Sequence, residues 1–275
     1  MKKDEGASRE AVLRLLTEGV RLPIAPLHRL HVEVIAEALL YIWQCVVDKL
    51  PEADIGSGET LLNTAIINAI NRRLSDDDPP LELLATLVFR AERGTENQNY
   101  TGDRLEVRPD ISFSLKGGGA VSLFPLIVEC KIIDAPGRKT VRLYCDEGIK
   151  RFVDGDYGWA RQEAFMLAYV RDASTIADKL IPFLEQTFGK DPDRFATLRL
   201  PAPTGSGADQ AESQHSRPFR YPDRSPEVDP GPITIRHIWV NARPPRRGES
   251  AQGINGPRDA ARTPVDGERF AGQHE

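Results

Sequence analysis

Asp110, Glu129 and Lys131 are the ionisable residues in this chain best placed to act together. Glu129 and Lys131 interrupt the apolar run Leu123 to Ile133, where a charge without a partner would be expensive to bury. Side chains alternate along a strand, so these two share one face while Val128, Cys130 and Ile132 occupy the other. Asp110 lies in the preceding predicted strand, and a hairpin closing near Gly117, Gly118 and Gly119 would bring it beside Glu129. Pro125 and the slack of the loop leave that register open. Two adjacent carboxylates raise each other's pKa unless a cation neutralises them, and a hard divalent metal with oxygen ligands does so, Mg²⁺ first and Mn²⁺ close behind. The Lys131 ammonium can hydrogen-bond a water or hydroxide nucleophile and offset charge on a phosphate. Such a set suits phosphodiester hydrolysis. The bland alternative is a solvent-facing sheet surface carrying a cross-strand ion pair.

The elements that must position these residues read as follows. Two helices span about Ala7 to Leu50, "REAVLRLLTEGV" and "LHRLHVEVIAEALLYIWQCVVDKL", separated by the Pro23 to Pro26 break. "IGSG" leads into a third helix, "ETLLNTAIINAINRRL", with Leu61, Leu62, Ala65, Ile66, Ala69 and Ile70 at helical spacing. "LLATLVFRAE", "LEVRPDISFSL" and "AVSLFPLIVECKII" form a three-stranded meander. "YCDEGIKRFVDGDYGWARQEAFMLAYVRD" reads as helix broken near Gly155, ending in a short strand around Met166 to Arg171. Thr175 and Asp178 have capping-box spacing for a helix to Phe188, with Gly189 as its stop. "ITIRHIWVNA" is one further strand.

Pro109-Asp110 followed by Glu129-Cys130-Lys131 in an apolar strand resembles the PD-(D/E)xK nuclease superfamily, the restriction-endonuclease-like fold. The resemblance implies an α/β fold, in detail an α+β mixed sheet with an αβββαβ core over roughly Glu59 to Arg171. An N-terminal helical extension and disordered C-terminal segments would flank it. In residues the division is 1–55 helical extension, 56–200 core, 201–232 flexible Pro/Arg-rich insertion, 233–243 added strand and 244–275 disordered tail. Carried over by position, Asp110 and Glu129 would ligate Mg²⁺, the carbonyl of Cys130 would be a further ligand, and Lys131 would orient the attacking water. Glu59, at the start of the third helix, is the candidate for an assisting Glu, although a helix N-terminus favours an acid in any case. One exonuclease branch carries Gln-x-x-x-Tyr, whereas here Gln162 is followed at that offset by Met166, which points away from an exonuclease.

The chain has 275 residues, 40% hydrophobic and 28% charged, an ordinary globular composition. Its net charge of -5 gives no overall attraction to polyanions, so nucleic-acid contact needs a local basic surface. Lys150, Arg151, Arg161 and Gln162 after the meander, and Arg217 and Arg220 beside Phe219 and Tyr221 in "QHSRPFRYPDR", are the candidates for that surface. A solvated helix face and a surface loop are their ordinary readings. His215 could act as a general acid, and His237, alternating with Ile235 and Trp239, reads as a packed histidine. Cys45, Cys130 and Cys145 form no CxxC pair and fit a reducing compartment. No Gly-Lys-Ser/Thr phosphate loop is present. The opening "MKKDEGASRE" lacks an apolar signal-peptide core, and the expectation is a cytoplasmic protein without membrane attachment. The expected function is a Mg²⁺-dependent DNA endonuclease in bacterial defence or DNA processing. The alternatives are a silent DNA-binding or scaffold subunit and an RNA-directed nuclease. The apolar residues of the N-terminal helices read first as core, with a homodimer or partner-subunit surface as the alternative.

Overall fold

Seven strands among the described residues join one sheet: β1 (Val88–Glu92), β2 (Ile111–Leu115), β3 (Leu126–Ile133), β4 (Glu163–Val170), β5 (Thr197–Pro203), β6 (Asp209–His215) and β7 (Ile233–Asn241). Their order across the sheet is β1-β2-β3-β4-β7-β6-β5. The computed structural model describes residues 11, 13–94, 98–104, 107–117, 119–205, 209–221 and 228–243. All of these fall in one compact unit, Met1–Pro244. β1, β2 and β3 are antiparallel neighbours, whereas β3, β4 and β7 run parallel, so the sheet is mixed as expected. A short helix, Ala120–Leu123, follows the glycines between β2 and β3, where a simple hairpin was expected.

One face of the sheet is covered by α1 (Arg29–Val47), α2 (Glu59–Ser75) and α3 (Glu82–Leu87), which share one apolar cluster with Val128, Cys130 and Ile132 of β3. The helical stripe of α2 is displaced slightly from the expected one: Leu62, Ile66, Ile67 and Ile70 are buried, and Leu61 is exposed. By length and composition α1 is apolar enough to cross a membrane. Its Ile35, Leu39, Ile42 and Trp43 are instead buried in the core, each such side chain contributing about 1.5–3 kcal/mol on leaving water. That arrangement is compatible with a soluble protein, and it makes α1 part of the main core.

The opposite face carries α4, which runs through Val141–Tyr144, a π-helical stretch Cys145–Ile149 and Lys150–Val153. With it lies α5 (Ile181–Lys190), entered from the π-helical stretch Ile176–Leu180. Thr175 caps that entry, its hydroxyl accepting from Asp178 N at 3.0 Å, as the capping-box spacing predicted. Helices on both faces explain why every residue of β4 is buried. They also explain why "EAFMLAYV" shows no period-two alternation and reads partly as helix in the sequence.

The expectation of a flexible segment over 201–232 is corrected. β5 and β6 are strands, and β6 pairs with β7 from Asp209↔Trp239 to His215↔Ile233. The polar composition of "DQAESQH" conceals an alternation in which Ala211, Ser213 and His215 turn inward. β7, expected as an addition, sits between β4 and β6 in the sheet. Residues 206–208 and 222–227 of that segment, and the tail expected to be disordered over 244–275, lie outside the described residues.

Buried polar groups tie this half of the sheet to α4. His215 Nδ1 lies 2.8 Å from the Phe195 carbonyl, which only accepts, so Nδ1 carries the proton and Nε2 accepts from Ser213 Oγ at 2.8 Å. Ser213 Oγ then accepts from His237 Nε2 at 2.8 Å, and His237 Nδ1 accepts from the Tyr144 hydroxyl at 2.7 Å. Burial lowers His215 to about 4 and, with His215 beside it, His237 to about 3, which keeps both rings neutral at pH 7. Ser213→Ala strands one donor and one acceptor, and should cost about 2–3 kcal/mol in urea unfolding. A loss below about 0.5 kcal/mol would show that the chain of bonds contributes little.

Candidate active site

β2 and β3 pair at Phe113↔Leu126, Ser112↔Ile127 and Ile111↔Val128. That register, left open by the sequence, ends the ladder at Ile111↔Val128, immediately before Asp110 and Glu129. β3 itself continues to Ile133. Its N–H groups on the vacated side need acceptors in a dry interior. Cys130 N donates to Asp110 Oδ2 at 2.9 Å, and Ile132 N donates to Glu59 Oε1 at 3.3 Å. Both acids are thereby drawn to the edge of β3.

Glu129 and Lys131 point to the α4 face, as the strand period requires. Lys131 Nζ donates to Glu129 Oε1 at 2.7 Å and to the Cys130 carbonyl at 2.9 Å, and lies 3.9 Å from Asp110 Oδ2. The ammonium therefore occupies the point where both carboxylates and a backbone oxygen converge. The Glu129 side chain is 3% exposed. Burial, then the charge of Asp110, pushes its pKa up to about 7, against the pull of Lys131 and Arg151. Burial pulls Lys131 down, but the charges of Glu129 and Asp110 outweigh it and leave its pKa raised. Gly148, in the π-helical stretch of α4, approaches Met166 and Glu129 so closely that an added Cβ would collide with the Met166 side chain. A bulged helix thus roofs the carboxylate, a feature frequent at functional sites.

A groove of about 700 Å³ is lined by Arg104, Arg108, Lys150, Arg151 and Tyr157 together with the acids Asp103, Asp146, Glu147, Asp154 and Asp156. Arg151 joins the two features: its Nε lies 3.9 Å from Glu129 Oε1, and its guanidinium donates to the Tyr157 hydroxyl. Tyr157 in turn donates to the Arg108 carbonyl at 3.2 Å. Lys150 pairs with Asp154 at 2.9 Å and Arg104 with Asp156 at 2.6 Å, and acids outnumber cations in the lining, so the groove has no excess of positive charge.

The other expected contact residues lie elsewhere. Arg161 is 1% exposed and donates to the Phe124 carbonyl at 2.7 Å. Gln162 donates to the Ile24 carbonyl at 3.0 Å. Arg217 is buried and donates to the carbonyls of Trp159, Arg161, Pro230 and Gly231. These residues fasten loops to one another, because a guanidinium satisfies several carbonyls at once. Arg220 pairs with Asp229 at 3.3 Å, away from the groove. Phe219 and Tyr221, expected to stack a base, are buried beside Trp159. His215, considered as a general acid, is the sealed ring described above.

Two residues of the site escaped the sequence reading. Asn63 of α2 donates to Asp110 Oδ1 at 2.9 Å, and the Tyr169 hydroxyl of β4 donates to Asn63 Oδ1 at 2.7 Å. The available signal was the spacing of Glu59 and Asn63, four residues apart on one helix face and interrupting an apolar stripe.

No group of three or more His, Cys, Asp or Glu side chains that could hold a metal occurs among the described residues. The donors at the convergence point are nevertheless all oxygen: Asp110, Glu129 and the Cys130 carbonyl. Glu129 Oε2 is buried without a hydrogen-bond partner among the described residues. This donor set fits a hard divalent cation, with water completing its shell. Comparison with protein-family models, curated proteins and solved structures gives no match for the chain.

The raised pKa of Glu129 makes a stability prediction. An acid whose folded pKa lies above its ordinary 4.5 binds more protons when folded, so stability falls as pH rises from about 4.5 to 7. Lys131, raised from 10.5, contributes no slope in that window. Thermal melts should therefore show Glu129→Gln gaining on the parent by up to about 3 kcal/mol between pH 4.5 and 8. Parallel stability curves for the two proteins would contradict the burial of an ionisable Glu129.

Proposed function

We propose that this chain is a metal-dependent phosphodiesterase of the restriction-endonuclease-like type, cutting DNA internally. The observation that carries the reading is the convergence of Lys131 Nζ, the Asp110 and Glu129 carboxylates and the Cys130 carbonyl, which Arg151 links to the groove. It gives the Pro-Asp and Glu-x-Lys resemblance a physical basis, in the absence of support from relatives.

Asp110, Glu129 and the Cys130 carbonyl would hold Mg²⁺ or Mn²⁺. When bound, such a cation supplies Lewis acidity toward a phosphate oxygen and lowers the pKa of a water. Lys131, which now contacts Glu129, would then be free to orient the attacking water and offset phosphate charge. Arg151 extends from α4 into the groove, where it can take a non-bridging phosphate oxygen. Glu59 is assigned a supporting role, since its oxygen is engaged by Ile132 N. Lys150 adds a second cation along the groove, and a cytoplasmic setting in genome defence or DNA processing suits the activity.

One observation favours a second reading, a catalytically silent DNA-binding or scaffold subunit. Lys131 already neutralises Glu129 at 2.7 Å, a self-contained ion pair that needs no metal. Incubation of plasmid, linear duplex, single-stranded DNA and RNA with Mg²⁺ or Mn²⁺ separates the readings. The parent should nick or cut the plasmid, with Glu129→Ala and Lys131→Ala each reduced about 10²–10³-fold while folded. Gel shifts without cleavage would support the silent subunit, and cleavage of RNA alone would move the substrate class. Equal cutting by parent and both variants would end the assignment.

A further inference from the structure

We infer that Asn63 and Tyr169 form a positioning pair that fixes the orientation of the Asp110 carboxylate. The inference rests on the reading of Asp110 as a metal-holding residue. Asn63 and Tyr169 are both fully buried: Asn63 comes from α2, and Tyr169 comes from β4, which pairs with β3 along the edge opposite β2 and turns this ring to the α2 face. The bonding order follows from the chemistry of the groups. A carboxylate only accepts, so the Asn63 amide must turn its Nδ2 to Asp110, which leaves Oδ1 to accept from the Tyr169 hydroxyl. Asp110 is thus held at both oxygens, Oδ1 by Asn63 and Oδ2 by Cys130 N, each at 2.9 Å.

A carboxylate held at one oxygen can rotate about its terminal torsion, whereas one held at both has its plane fixed. Here the fixed plane keeps Oδ2 on the side of Lys131 Nζ. Asp110 stands at the mouth of β2, where no ladder bond steadies it. Without the pair its orientation would depend on one backbone N–H. Partners of this kind behind a metal ligand commonly affect metal affinity or activity about 10–100-fold.

Tyr169→Phe removes one hydroxyl and keeps the packed ring, and Asn63→Leu keeps the volume of the amide. Thermal melts establish that each variant is folded. Mn²⁺ affinity is then read by electron paramagnetic resonance on the metal-free full chain, with Asp110→Ala as the reference for loss of the site. Both variants should bind Mn²⁺ about 10–100-fold more weakly than the parent, and the drop should appear in kcat on plasmid with KM for DNA unchanged. A purely structural pair would lower the melting temperature and leave Mn²⁺ affinity alone. If Asp110→Ala abolishes binding while Tyr169→Phe and Asn63→Leu bind like the parent, the positioning role is overturned and the metal reading stands. If the parent itself shows no Asp110-dependent Mn²⁺ binding, both fall together.

Discussion

The structure turns on a mismatch of strand lengths: β3 continues past the point where β2 stops. An unpaired N–H in a dry interior costs about 1–3 kcal/mol, so the exposed edge of β3 must recruit acceptors. It recruits carboxylates, Asp110 for Cys130 and Glu59 for Ile132. That choice brings negative charge next to Glu129, which the strand period turns toward α4, and the resulting crowd of acids demands a cation. Lys131 answers it from two residues away on the same strand face. A requirement of backbone hydrogen bonding and a concentration of titratable groups are therefore one feature.

The remainder of the fold supplies rigidity and access. α1 and α2 close one face, and α2 delivers both Glu59 and Asn63 to the edge. α4 closes the other, its π-helical stretch bringing Gly148 over Glu129 and its last turn carrying Lys150 and Arg151 to the groove. The neutral chain from Tyr144 through His237, Ser213 and His215 links α4 to β6 and β7, so the helix that overhangs the carboxylates is anchored in the far half of the sheet. Arg161 and Arg217 secure the intervening loops by binding carbonyls.

Legibility from sequence followed the physics of each element. The shared face of Glu129 and Lys131 was readable because a strand's period of two needs no tertiary information, whereas the place of Asp110 beside them depended on a β2–β3 register that Pro125 and the loop left open. The meander was readable from its branched residues and glycines. β4 was only partly readable, since burial on both faces removes the alternation that marks a strand. β6 was missed because its inward Ala211, Ser213 and His215 are polar or small, and their burial depends on β7 and on the hydrogen bonds of the histidines, while β5 buries only Thr197 and Pro201. Arg161 and Arg217 were misjudged for a related reason: composition reveals a charge, but the carbonyls that will surround it come from distant loops. Asn63 and Tyr169 became meaningful only once side chains of α2 and β4 were seen to join Asp110 in one chain of hydrogen bonds.

The central claim is that the notch at the end of the β2–β3 ladder is a cation-binding centre. Crystals grown without metal and soaked in Mn²⁺ test it directly through anomalous scattering. The account predicts one strong anomalous peak coordinated by Asp110, Glu129 and the Cys130 carbonyl, with Lys131 Nζ displaced from Glu129. A well-ordered map with no peak there, and with Lys131 still paired to Glu129, would contradict it.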